Sequence, residues 1–457
     1  MRTKYLILFA ALLILGTGCR KYVEIEQKSI RTLKYTTDFR YVMNNIQTIE
    51  GTCSYPVFSG DDTEITDPSR ILVMDDIQSN VYTWSAKYTN DSQSDSDWDR
   101  LYKTIYTCNE VLAGVRDSQG GTNADKEQIY AEALVHRAYT YLILVNMYAK
   151  QYNSATSSTD LGVPLLLTPN LYTSLKRQPV AAVYAQIQKD LTESVSRLPA
   201  LPDYNMKPAK VSAYAILSRT YLNMRDFNRA GLYADSSLTL QSTLLDLQKY
   251  ATAPGTVPPR LNDPEVLLSK TTGVTVTAVS ISNDLLTSMG TRDLRYQIFT
   301  GARSVFGSAF SGAFTGRASS RYLLNGEFVI VNGPSVPEMM LVKAECLARS
   351  GDAAAAIALV NNLRKKRFLP ANYTDLPTGT ADAALQTVVD EKRKEFIGRG
   401  MRWFDQKRLS LDPAFAQTKT RTFKNQTYTL EPTSNRYLYP IGDKYILLNP
   451  EVEQNPR

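Results

Sequence analysis

The chain has 457 residues with 52 Lys and Arg against 45 Asp and Glu, and its net charge of +7 is spread without a basic block, so it lacks a nucleic-acid footprint. Its single histidine, His136, excludes His-ligated zinc, Ser-His-Asp triads and Cys-His pairs. Four cysteines without a close pair or metal-ligand spacing exclude a disulfide framework.

Arg2 and Lys4 precede an apolar run, Tyr5 to Leu15, followed by Gly16, Thr17, Gly18 and Cys19. That run is about 17 Å long as a helix, too short for a bilayer core of roughly 30 Å, and reads as a secretion signal. The small residues before Cys19 resemble a bacterial lipobox, so residues 1–18 are expected to be removed and Cys19 acylated as the mature N-terminus. Residues 19–457 are then one domain. Polar Arg20, Lys21, Glu24 and Glu26 predict a short tether before it.

Residues 50–97 mix Pro56, Gly60 and Pro68 with Tyr55, Phe58, Tyr82, Trp84 and Tyr88, an irregular segment too aromatic to be disordered. A helical pair follows near 98–150. Trp98, Tyr102 and Ile105 recur at helical spacing, as do Ile129, Ala133, Ala138, Tyr141 and Val145. His136 falls inside this pattern and reads as a packed or capping side chain. Cys53, Cys108 and Cys346 read as small core residues.

Further helical pairs are expected near 179–240 and 337–409. Within them two hairpins superpose at one offset: Ser218 on Ala344, Tyr221 on Leu347, Arg225 on Gly351, Asp226 on Asp352, Ala230 on Ala356. Small residues allow close helix approach and Gly351 suits a left-handed helix end. Between the pairs, residues 250–336 are irregular and rich in Thr, Ser, Gly and Pro. Within them Phe306, Phe310 and Phe314 recur every four residues, predicting a buried helical turn. Gly400 is expected to end the helix that begins near Ala384. Beyond it Trp403 and Phe404 turn inward beside Arg402 and Asp405, which are expected to pair. The fold class is mostly α: a degenerate tetratricopeptide-like helical-hairpin scaffold with long irregular loops and little β structure.

The chain resembles the SusD/RagB nutrient-binding outer-membrane lipoproteins of Bacteroidetes over nearly its whole length. The resemblance rests on Trp98-Asp99-Arg100-Leu101-Tyr102, on Arg137-Ala138-Tyr139-Thr140-Tyr141, on Leu161-Gly162-Val163-Pro164-Leu165, on Gly400-Met401-Arg402-Trp403-Phe404-Asp405, and on Asn449-Pro450-Glu451 through Pro456. It departs at Arg399, where the family usually has Glu, at Gln406, where it favours Leu, and at Gly442, where it favours Pro. The resemblance implies a non-enzymatic receptor held on the outer membrane by its lipid and facing the exterior; no cofactor is expected and no metal-ligand residues are singled out. It would cap a SusC-like TonB-dependent transporter and hand it a glycan or oligopeptide.

The framework motifs look structural, so by elimination the ligand site is expected on the two irregular segments. Trp84 is the leading stacking residue, with Tyr82, Tyr88, Tyr296 and Tyr322 around it. Asp61 and Asp62 are expected to accept hydrogen bonds from the ligand, with Asp293 and Arg295 bracing the other side. Two other classes fit the residues: a helical-repeat scaffold for outer-membrane protein assembly, and an anchored glycosidase using a carboxylate pair such as one drawn from Asp61, Asp62 and Glu64.

Overall fold

In the computed structural model, residues 33–272 and 279–457 are described. Cys19 and the signal segment 1–18 lie outside them. The long helices are α1 (Ser96–Gly114), α2 (Asn123–Tyr148), α3 (Val180–Val195), α4 (Lys210–Asn223), α5 (Phe227–Leu240), α6 (Val336–Arg349), α7 (Ala353–Arg364), α8 (Ala381–Glu395) and α9 (Met401–Leu409).

Their starts follow from local chemistry. Asp95 accepts from the backbone N–H groups of Asp97 and Trp98 to open α1. Thr122 and Asp125 cap each other reciprocally at the head of α2. From Ala131 to Tyr148 every residue of α2 is buried, so it is a central helix with neighbours on all sides. His136 is within it, accepting at Nδ1 from the Lys270 ammonium at 2.8 Å.

The two superposable hairpins are α4–α5 and α6–α7. Their turns carry left-handed residues at the same place, Arg225 at φ 61° and Gly351 at φ 95°. The next residue caps the following helix in both, Asp226 onto the Arg229 N–H at 3.0 Å and Asp352 onto the Ala355 N–H at 2.9 Å. Ser218 is fully buried and donates to the Ala230 carbonyl at 2.8 Å, stitching α4 to α5. Each helix from α1 to α7 packs on its successor and α8 lies on both α6 and α7, so the hairpins form one continuous array. Buried bidentate pairs lock it: Arg137 with Asp190 joins α2 to α3, and Arg219 with Glu338 joins α4 to α6.

Strand content is small. Leu161–Pro164 (β1) pairs with Arg177–Pro179 (β2), Thr300–Ala302 (β3) with Arg317–Ser319 (β4), and Lys419–Phe423 (β5) with Gln426–Leu430 (β6), all antiparallel. The turn of β5–β6 is Lys424-Asn425, both at positive φ, a twist that matches the strands of a two-residue hairpin. Trp98 packs edge-on against Tyr148, and Trp403 stacks on Tyr437 and Tyr439, so both motif tryptophans belong to the core. Burial pushes the Cys108 and Cys346 thiols up to about 12, which leaves them unreactive.

Segment 50–97 contains short helices, Tyr55–Ser59, Pro68–Val73 and Asp76–Tyr82. The phenylalanine spacing is not a helical turn. The helix Arg303–Phe306 stops at Gly307, whose φ is 58°, and Phe310 is extended. Phe306 and Phe310 are buried in a small cluster, whereas Phe314 is only partly covered.

A candidate ligand groove

Most of the aromatics expected at the site are instead its foundation. Trp84 is 2% exposed, and its indole N–H donates to the Ser59 carbonyl at 2.9 Å. It sits at φ 54°, a strained value for a non-glycine residue, just past the helix Asp76–Tyr82. Arg421 from β5 holds it there: the guanidinium lies 4.0 Å over the Trp84 ring and 4.2 Å over Tyr82. It also donates to the carbonyls of Phe58, Ser59, Gly60 and Tyr82. One cation thus pins two loops together, and both rings are buried beneath it.

The other candidates divide similarly. Tyr88 is buried against Tyr55 and Tyr439. Tyr322 is buried and donates to Asp263. Asp293 and Arg295 pair with each other beneath the surface, where Arg295 also reaches Glu391 and Glu395. A buried charge must be paired, and here the partners were near in space but distant in sequence. Tyr296 is partly covered, with Arg317 4.3 Å above its ring. Trp84, Tyr82, Tyr88 and Tyr322 are therefore buried packing residues rather than the stacking surfaces expected, and Asp293 and Arg295 form a buried ion pair rather than a brace for ligand, whereas Tyr296 stays partly exposed.

Asp61 and Asp62 do lie where the irregular segments converge. Arg402 donates to Asp61 through two nitrogens, and Lys419 approaches it at 3.2 Å. Burial pushes Asp61 up, but Arg402, Arg393 and Lys419 together outweigh it and hold the carboxyl well below the usual range. Asp62, paired with Arg393, is pushed up to about 6 by burial. Such opposite shifts can mark an acid–base pair, yet each carboxylate here is committed to a guanidinium, the arrangement of a structural ion-pair network.

One member of each pair, Asp61 and Arg393, lines a cleft of about 440 Å³, which Tyr82 and Arg421 also line. One wall is Thr63, Glu64 and Thr66; the second is Ser282, Asn283 and Asp284; the β5–β6 hairpin supplies Thr420, Thr422 and Thr427. Glu64 accepts from the Asn283 N–H at 2.9 Å, tying the two loop walls together. Arg393 bridges Asp62 and Asp284, at 2.8 and 3.0 Å. The cleft continues at each end. Sharing Glu64, Thr66 and Asn283, a depression of about 170 Å³ leads to Asp67, Ser311 and Phe314. Sharing Arg393, another of about 90 Å³ leads to Arg402, Gln406 and Lys419.

Phe314 is the aromatic surface that the sequence reading set aside. Its ring stacks on Phe310 at 4.1 Å and 14°, and Arg70 lies over Phe310, so a buried pile backs a partly exposed ring that lines the groove. Hydroxyls, carboxylates and guanidinium groups along an open groove, with one apolar face, suit a polyhydroxylated ligand.

A family model described as "Starch-binding associating with outer membrane" matches residues 22–222, and one described as "SusD family" matches residues 337–457. A curated SusD-like protein of Formosa agariphila is 30% identical over 123 residues, 26% of this chain, and the match spans about a fifth of that relative, 22%. Among solved structures, a SusD superfamily protein from Bacteroides thetaiotaomicron superposes with a TM-score of 0.75 at 19% identity, covering 93% of this chain and 100% of the other. A laminarin-binding SusD-like protein superposes with a TM-score of 0.66 at 18% identity over 93% and 99% of the two chains. The two matched regions carry the helical array and the C-terminal framework, the structural likeness joins them through the intervening loops, and the chain belongs to the SusD/RagB family.

Proposed function

We propose that this protein is a non-enzymatic cell-surface receptor that binds a glycan in the groove between Phe314 and Arg402. It would deliver that glycan to a SusC-like TonB-dependent outer-membrane transporter. The observation that carries this reading is the groove itself: both irregular segments and the β5–β6 hairpin converge to line it with hydroxyl, amide and charged side chains, with Phe314 at one end. Family membership and the glycan-binding relatives support the ligand class. No described helix is long and apolar enough to cross a membrane, and acylation of Cys19 would supply the anchor.

The test is glycan-array screening followed by calorimetry on the best binder. Phe314→Ala should weaken binding about fivefold, the loss of roughly 1 kcal/mol of ring stacking, while the lost contact with Phe310 lowers the melting temperature only slightly. Equal affinity in the variant would remove the groove from consideration. Intact-mass analysis showing an unmodified Cys19 at the N-terminus would remove the anchor.

A further inference from the structure

We propose that the depression between α8 and α9 is a subsite for the acetamido group of an N-acetylated amino sugar, an inference that rests on the glycan reading of the groove. Gln406, from α9, is 6% exposed, and neither its Oε1 nor its Nε2 has a hydrogen-bond partner among the described residues. Its side chain lines the depression of about 90 Å³ that joins the main cleft at Arg393. That space accepts a substituent but not a whole ring.

The surroundings select the substituent. A carboxamide offers an acceptor and a donor side by side, and its best complement is another amide, which presents N–H and C=O in the same plane. Among the polar side chains that line most of the depression, Gln386, Asp390, Ser410 and Gln417 included, Val389, Leu409 and Phe415 supply a small apolar surface suited to the amide's methyl group. An anionic substituent is disfavoured, because Arg402 and Lys419 already neutralise Asp61, and Arg393 is shared by Asp62 and Asp284. Leaving a buried amide unpaired is unfavourable, so a ligand that satisfies Gln406 recovers that cost on binding. The adjoining walls carry threonine and serine hydroxyls, which favours a glycan over a peptide as the source of the amide.

The full chain in detergent is tested on immobilised glycans in matched pairs that differ only in a 2-acetamido or a 2-hydroxyl group. The acetamido member should bind about tenfold more tightly. Gln406→Leu should melt at or above the wild type and bring the two members to equal affinity, and Gln406→Met is the second variant should leucine not fit. A preference for the hydroxyl member, or a selectivity that survives in both variants, overturns the subsite. Binding of unacetylated glycans alone overturns the subsite and leaves the groove. Capture of peptides, or of no glycan at all, overturns both.

Discussion

Arg402 and Asp61 meet in a bidentate ion pair, Nε to Oδ1 at 2.7 Å and Nη2 to Oδ2 at 3.1 Å, across 341 positions of chain. The pair fastens the first turn of α9 to the loop that starts the groove. Asp405, the partner expected from the local sequence, instead receives Arg408 at 2.8 Å and Lys392 at 3.5 Å. Arg408 is the i,i+3 neighbour of Asp405 and Lys392 comes from the facing helix α8; Arg402 points at the loop while Asp405 points at the α6–α8 interface, where Arg408 and Lys392 share Glu345.

Removing one partner of this pair should therefore be costly at a distance. Arg402→Met leaves Asp61 with Lys419 alone and should cost about 2–4 kcal/mol in urea unfolding. The double variant Asp61→Asn with Arg402→Met should be less destabilised than the two single changes summed, by about 1 kcal/mol or more. Strict additivity would mean that the pair contributes nothing specific.

Trp84→Ala should behave as a core deletion. The ring is enclosed, bonded to Ser59 and capped by Arg421, so truncation should cost about 3–5 kcal/mol. Trp84→Phe should lose less, since it keeps the cation–π contact and forfeits the N–H bond. Unfolding midpoints for the two variants decide it. A Trp84→Ala protein of wild-type stability would show that the ring is dispensable to the latch.

How much of this was legible follows from where each signal is written. The hairpin repeat was readable because its determinants are local: a left-handed turn residue, a capping aspartate one residue on, and small residues at the crossing recur at one offset. The aromatics were misassigned because exposure in a loop is set by what covers the loop. Arg421 lies more than 330 positions from Tyr82 and Trp84 and belongs to a hairpin that periodicity does not connect to them. Asp293 and Arg295 looked like a surface brace because their partners Glu391 and Glu395 arrive on α8. Phe314 was discounted on a four-residue spacing that Gly307 interrupts. Gln406 was visible as a departure from the family pattern, but its meaning depends on the depression that α8 and β5 form around it.

Lys407 gives the stability a pH dependence of defined sign. Its ammonium, 3% exposed on α9, donates to the carbonyls of Asn146 and Ala149 at the C-terminal end of α2, and burial pushes it down from 10.5 to about 7. Below pH 7 both the folded and the unfolded chain hold the proton, and the fold bears the full cost of enclosing a charge. Between about 7 and 10.5 the unfolded chain still binds the proton while the native chain has released it, so stability rises with pH through that window, by at most about 1.4 kcal/mol per unit. Burial pushes Lys270 down to about 8, which adds a contribution of the same sign over a narrower range. Lys407→Met removes the larger contribution. Urea midpoints measured from pH 6.5 to 9.5 should climb for the wild type and climb distinctly less for the variant, with the two curves furthest apart at the alkaline end relative to their separation at pH 6.5. Parallel curves would mean that the two carbonyls keep Lys407 charged throughout, and that burial does not govern its proton.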